Sequence, residues 1–393
     1  MSTPFEIAKK ISFQKQKTYT RFIVRISITA TAISVAAIIL TLSIVNGFQE
    51  AIANKVYDFW GHIRITSVSG APIEDKINTL GLDPKVVTHI TPFINQTSVL
   101  SYKQDIEGVV VKGVPASEKI SFLTKGKGLD VNYNNTRTAI IISDALAAKL
   151  NIPLNATVRL YFMSNETVQQ RKMIVTGFYH TGIEEYDRQF VVVDIKMLQQ
   201  LNGDNQKIDG YTLKIKDANN AQAITDTIQK QLPNNWVATT VKDYYPQIFD
   251  WINVQTVNRN VTITILLIIA IVNLLTCLFI LMLERVNMIG TLAALGANNN
   301  FIRKIFLYQA SFICWIGIAI GAGVGIGLSL LQMHFGWIQL DESAYFIKTM
   351  PIKIIPSEII LVILSTAIIS YLSFLIPTLW IKKVAPANAI KFD

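Results

Sequence analysis

Four stretches of the chain are predominantly apolar and carry no charge: residues 26–45, 261–283, 305–331 and 359–380. A helix rises 1.5 Å per residue, so about 20 such residues cross the roughly 30 Å hydrocarbon core of a bilayer. The pattern therefore predicts four membrane-spanning helices, over 22–46, 261–283, 305–331 and 357–381. The first run is longer than a signal-peptide core, follows Arg21 and Arg25, and lacks a small-x-small cleavage site after it, which predicts an uncleaved span.

Between the first and second runs the pattern changes. Short β-branched segments at 62–68, 109–111, 139–142, 157–162, 172–176, 190–193 and 211–215 are separated by polar, Gly or Pro turns and predict strands. Segments 143–150 and 218–232 have helical apolar spacing. Residues 47–260 are thus expected to form a mixed α/β extramembrane domain. Polar stretches at 132–137 and 202–207 suggest a β-rich part, 133–206, inserted in an outer α+β part made of 47–132 and 207–260. Ahead of the first span, residues 4–17 place Phe5, Ala8 and Ile11 on one face and lysines on the others, as in a helix lying on the membrane surface or, more plainly, a solvated tail.

Composition fits this division. Half of the residues (51%) are hydrophobic, yet 16% are charged, more than a bundle of spans alone would carry. The excess of cations, 36 Lys and Arg against 27 Asp and Glu, gathers beside the spans rather than in a nucleic-acid-binding patch. Lys9 to Arg25, then Arg285, Arg303 and Lys304, then Lys382, Lys383 and Lys391 all fall on one side of a four-span chain. By the positive-inside rule, both termini and residues 284–304 are expected in the cytoplasm, with the large domain and the 332–356 loop outside.

Candidate chemistry is sparse. The chain has no G-x-x-x-x-G-K-[ST] phosphate loop, no G-x-S-x-G elbow, no H-E-x-x-H and no C-x-x-C. Its two cysteines, Cys277 and Cys314, lie inside apolar runs. The densest polar group, His180, Glu184, Glu185 and Asp187, is a hydrated turn more readily than a metal site, and neither metal nor cofactor is expected. Gly317, Gly321, Gly323, Gly325 and Gly327 give small-x-x-x-small spacings that let backbones approach, against a span of the same chain or of a second subunit. Asn273 and Thr276 share a helical face near mid-membrane, where a polar group needs a partner across a helix interface.

Several local sequences, taken in order, resemble one family. They are Asn46-Gly47-Phe48 at the end of the first span, Val111-Lys112-Gly113-Val114, Leu146-Ala147-Ala148-Lys149-Leu150, and Gly177-Phe178 with Gly182 and Glu185-Tyr186-Asp187. The most specific is Asn273-Leu274-Leu275-Thr276, followed by Glu284, Ile289-Gly290 and Leu295-Gly296-Ala297, with Pro386-Ala387 near the end. In this order they resemble the permeases of the LolC/LolE, MacB and FtsX superfamily of ABC transporters, and most nearly the lipoprotein-releasing members.

The resemblance implies a type VII ABC transporter architecture: four transmembrane helices with a large MacB-like periplasmic domain, in the cell inner membrane. Its implied partners are a LolD-type ATPase, a second permease protomer in a homo- or heterodimer, an acylated lipoprotein as cargo, and a soluble periplasmic carrier; ATP hydrolysis is expected on the partner. Glu284, Arg285, Ile289, Gly290, Leu292, Leu295 and Gly296 would couple to the ATPase, and Asn46, Phe48, Val261 and Ile265 would line the lipid cavity. Ala293 and Val286-Asn287 stand where many relatives carry charge, so the ATPase contact is expected to be apolar, through Ile289, Leu292 and Leu295. An FtsX-like scaffold for cell-wall hydrolases and a MacB-like exporter of peptides or drugs are the competing expectations.

Overall fold

A computed structural model of the chain describes residues 18–75, 82–129, 139–164 and 167–378. The amphipathic segment expected over 4–17, the polar linker at 132–137 and the basic tail 382–393 lie outside the described residues. The chain divides into two compact units: Glu50–Trp251 with Leu340–Lys348 forms one, and the remaining segments form the other.

Helix α1 (Thr18–Trp60) is a single helix of 43 residues. It runs past the expected end of the first span at 46, because Ile52, Val56, Phe59 and Trp60 recur at helical spacing and bury one face. Gly61 ends it, with a left-handed φ of +74° and its N–H donated to Tyr57 O at 2.8 Å.

The domain unit is built on strands β1 (Ile63–Ser67), β2 (Ile73–Glu74), β3 (Val87–Tyr102), β4 (Asp105–Val114), β5 (Leu123–Gly126) and β6 (Ala139–Ser143). Beyond these come β7 (Thr157–Ser164), β8 (Thr167–Tyr179), β9 (Phe190–Asp194), β10 (Lys207–Ile208), β11 (Gly210–Ile215) and β12 (Trp236–Thr240). Ten strands make one sheet in the order β12-β1-β11-β3-β4-β9-β6-β8-β5, with β7 paired to β3 and β8; β2 and β10 pair separately.

Strand β3 joins the two parts of this sheet. Its first half pairs with β11 and its second half, from Ile94 onward, with β4. Pro92 precedes that second ladder, so its missing N–H falls where β3 has only one neighbour. The β-rich part begins earlier than the expected residue 133, since β4 pairs with β9 and β5 with β8.

Short helices α2 (Asp144–Lys149), α3 (Glu184–Gln189), α4 (Ile195–Leu201), α5 (Ala221–Gln229) and α6 (Val241–Tyr244) accompany the strands. The Ser143 hydroxyl caps α2 by accepting from Leu146 N at 3.0 Å. Ile63, Ile65, Leu100, Val111, Ile140, Ile142, Val191 and Val193 pack with Leu146 and Leu198 into one core. The free edge of β12 is covered by Gln229, which accepts from Ala238 N at 2.7 Å and donates to Trp236 O at 3.1 Å.

The membrane unit contains most of α7 (Pro246–Glu284), then α8 (Val286–Ala294), α9 (Asn299–Phe335) and α11 (Pro356–Thr378), together with the first part of α1; α10 (Glu342–Tyr345) belongs to the domain unit. Among the described residues, 4 helices are long and apolar enough to cross a membrane. Spans one and three meet along a seam of small residues. A Cβ on Gly317 would meet Thr31 Cβ at 2.8 Å, one on Gly321 would meet Ala32 O at 2.5 Å, and one on Gly325 would meet Ala36 Cα at 3.1 Å. Gly323 and Gly327 face open space. The close approach therefore serves packing within the chain at Gly317, Gly321 and Gly325, which recur every four residues on one face of the helix.

Candidate coupling turn and span-end residues

Asn298 caps the start of α9, its side chain accepting from Asn300 N, and α8 is folded back on α9. Ile289 and Gly290 are buried, Ile289 in the cluster that holds Ile302 and Phe306, while Met288 and Leu292 pack on Ile305. The outward surface is formed by Leu283, Glu284, Thr291, Leu295 and Gly296, with Arg285 half-buried. Leu295 is 79% exposed, the most of any large hydrophobic residue in this turn. Of the three residues expected to make an apolar contact, helical periodicity turns Ile289 inward, Leu292 is half-buried and Leu295 presents open apolar surface. Gly296 has φ +85° and no atom within 4 Å of a would-be Cβ, so it serves the left-handed turn between α8 and α9.

The two mid-membrane polar residues differ in role. Asn273 donates from Nδ2 to Ser27 O of α1 at 3.3 Å, across the interface of spans one and two. Thr276 instead donates back to Val272 O of its own helix at 2.9 Å. The expected interhelical bond from Thr276 is thus corrected, because its short hydroxyl is satisfied by the carbonyl one turn below.

The residues assigned to the lipid cavity also separate. Val261 and Ile265 lie on an exposed stripe of α7 with Val254, Val257, Ile268 and Val272, spaced three or four residues apart. Phe48 is half-buried. Asn46 is only 8% exposed and does not line an open surface. Its Nδ2 donates to Glu358 Oε2 at 2.5 Å, and its Oδ1 accepts from Arg259 Nη1 at 2.6 Å. One amide therefore bridges a cation on α7 and a carboxylate in the first turn of α11. Beside it a Cβ on Gly47 would sit 2.6 Å from Pro351 O, and Ser43 O accepts from Lys353 N at 2.9 Å. In the sequence, Arg259 and Glu358 are marked only by being charges that flank an apolar span.

In the domain unit the last turn of α1 enters an aromatic box. Trp60 lies between Arg64, 5.2 Å from its ring, and Lys112, 4.5 Å from it; Arg64 also stacks on Tyr244 at 4.1 Å. Lys112 donates to Phe59 O at the end of the helix. Its burial, with Arg64 nearby, lowers the ammonium pKa to about 7.

The turn carrying His180 and Asp187 holds no metal cluster among the described residues. Asp187 accepts from the N–H groups of Thr181 and Gly182, each at 3.0 Å, and His180 Nε2 donates to Glu342 Oε1 at 2.6 Å. Glu342 is partly buried, which raises its pKa, but the bond from His180 and the nearby Lys348 outweigh this and hold the carboxyl below its usual range.

Residues 26–231 match the MacB-like periplasmic core domain family, and residues 260–386 the FtsX-like permease C-terminal family. The chain is 22% identical to the lipoprotein-releasing system transmembrane protein LolC of Xylella fastidiosa over 100% of both chains. It is 22% identical to the corresponding LolE of Haemophilus influenzae over 99% of each. The extracellular domain of the noncanonic ABC-type transporter YknZ from Gram-positive bacteria aligns at 15% identity and a TM-score of 0.33, covering 45% of this chain and 98% of that one.

Proposed function

The chain belongs to the LolC/LolE family of permeases, with a MacB-like core domain followed by an FtsX-like permease region, and from this we propose that it draws acylated lipoproteins out of the outer leaflet of the inner membrane. It acts as the membrane subunit of an ABC transporter, beside a second permease protomer, and receives force from a separate LolD-type ATPase. Both termini and the 284–304 turn face the cytoplasm in this reading, which the distribution of Lys and Arg supports.

One observation supports the mechanics above all. Helix α7 is continuous from Pro246, at the edge of the domain unit, to Glu284, separated from α8 by Arg285 alone. A displacement of the α8 turn by a closing ATPase would travel along this helix without a flexible joint to absorb it. The exposed α7 stripe through Val261 and Ile265 offers an apolar surface for acyl chains or for the facing protomer. The signalling-scaffold and exporter readings draw on the same family regions and have no further observation in their favour.

The test is affinity capture of the full chain from detergent-solubilised membranes, with mass spectrometry of what accompanies it. An ATPase, a sister permease or second copy, and acylated lipoproteins are expected, and reconstitution with the ATPase should release lipoprotein on adding ATP. Recovery of cell-wall hydrolases with no lipoprotein would overturn the reading in favour of a scaffold.

A further inference from the structure

The His180–Asp187 turn, unexplained by coupling or by cargo, forms one wall of a socket. Lys55 of α1 donates to Phe346 O at 2.6 Å, and Glu342 receives His180 Nε2 at 2.6 Å and Lys348 Nζ at 3.3 Å. Gly182 closes the floor: its φ is +75°, and a Cβ there would collide with Lys55 Nζ, with Phe346 O at 2.8 Å and with Glu342 Oε1 at 3.0 Å. The inserted turn is itself ordered by Tyr345 N to Asp341 O at 3.0 Å, Phe346 N to Glu342 O at 2.9 Å and Leu340 N to Lys348 O at 2.8 Å. Phe346 adopts a φ of +61°, uncommon for a non-glycine residue, and meets Trp251 edge-on at 6.4 Å.

The seated segment, Leu340–Lys348, is the tip of the loop between spans three and four. The base of that loop is braced separately. Gln332, buried in the last turn of α9, accepts from Ile338 N at 3.1 Å and donates to Ile338 O and Met350 O, each at 3.3 Å. Met350 N donates to Ile338 O at 3.0 Å, and Gln339 bridges to Thr349. Tip and base are each held by their own hydrogen bonds, and they are consecutive in the chain.

We propose that the 340–348 loop tip is a force-transmitting strut, held in the domain by Lys55 and His180 through Phe346 and Glu342 of the tip as positioning residues, which links domain motion to spans three and four. This rests on the proposed transport function and adds a connection besides the continuous helices α1 and α7. A socket that served only to fold the loop would hold the tip without influencing transport.

Two unseating variants of the full chain, Glu342→Ala and Gly182→Val, and one conservative variant, Glu342→Gln, test this. Gln keeps an oxygen to accept from His180. Backbone hydrogen exchange at Tyr345 and Phe346 should rise about tenfold or more in both unseating variants and stay near wild type in Glu342→Gln. In the complex reconstituted with its ATPase, lipoprotein released per ATP should fall several-fold in the first two, with hydrolysis retained, and recover in the third. Faster exchange with unchanged release per ATP would overturn the strut, as would unchanged exchange. If the wild-type complex releases no lipoprotein, the transport reading fails instead. The strut is then decided by the ATP-dependent change in exchange at residues 332–338, which Glu342→Ala should abolish; its persistence would overturn the proposal.

Discussion

Asn46 and Glu358, 312 positions apart in the chain, are joined by a 2.5 Å hydrogen bond from the asparagine amide to the carboxylate. That bond fixes the orientation of the amide, leaving its oxygen to accept from Arg259 at 2.6 Å. Three spans are thereby tied through one neutral side chain, and the two charges are satisfied without touching. Asn46→Ala should remove both of these hydrogen bonds, at a cost of about 1–3 kcal/mol. Asn46→Asp should also destabilise, by setting a second carboxylate beside Glu358, and adding Glu358→Gln should restore stability because Gln can donate to the new Asp while Arg259 pairs with it. Thermal unfolding midpoints of the detergent-solubilised chain would decide; three variants indistinguishable from wild type would show that no such bridge forms.

The glycine seam gives a contrast within a single helix. A methyl group on Gly321 would lie 2.5 Å from Ala32 O and 2.9 Å from Ala32 Cα, both backbone atoms that cannot rotate away, whereas Gly323 has nothing within 4 Å. Gly321→Ala should therefore push spans one and three apart and lower the unfolding midpoint. Gly323→Ala should hold or raise it, since Ala favours a helix by roughly 1 kcal/mol over Gly. Equal effects at the two positions would mean that the seam does not set the spacing.

How far the sequence reveals such features depends on the length scale of the signal. The four spans were legible because an uncharged apolar run is continuous and local. The extension of α1 to Trp60 was not, because beyond Asn46 burial switches to one face, at Ile52, Val56 and Phe59, and mean hydropathy no longer marks the helix. Strand β3 escaped for a similar reason: His89, Pro92, Asn95 and Gln96 break its alternation, and two different neighbours along its length tolerate them.

The candidate site residues divide along the same line. Periodicity can suggest that Ile289, Leu292 and Leu295 act together, but which of them faces the interior depends on where α9 lies, and that is tertiary information. The partners of Asn46 and of His180 are likewise distant in sequence, so each appeared as an isolated polar residue. A charged residue next to a span or in a connecting loop, such as Arg259, Glu358 or Glu342, was the only local sign of them.

Lys112 makes the domain sensitive to pH. Its folded pKa, about 7, lies below the usual 10.5 of a lysine, so between these values the unfolded chain binds the proton that the folded chain has released. Stability must then rise with pH across that window and level off below about pH 7, where both states are protonated. Lys112→Met should flatten the dependence and raise stability at pH 6, where wild type buries the charge. Hydrogen-exchange protection of the β4 amides in the full chain, corrected for intrinsic exchange, would measure it; an equal slope in wild type and variant would rule Lys112 out as its source.

The coupling turn offers the clearest separation between binding a motor and keeping the fold. Leu295 is 79% exposed and Ile289 3%, while Leu292 is half-buried against Ile305. Leu295→Asp changes only the outward surface, so it should leave the unfolding midpoint within about 0.5 kcal/mol of wild type. It should nevertheless weaken capture of the ATPase and reduce lipoprotein released per ATP. Ile289→Asp buries an unpaired carboxylate between α8 and α9 and should lower stability by several kcal/mol, roughly 3 or more. Leu292→Asp should show both defects in part, since its side chain serves the packing as well as the surface. If Leu295→Asp retains full ATPase capture and full release, the motor does not engage this face of the turn, and contact would have to pass through residues on either side of α8.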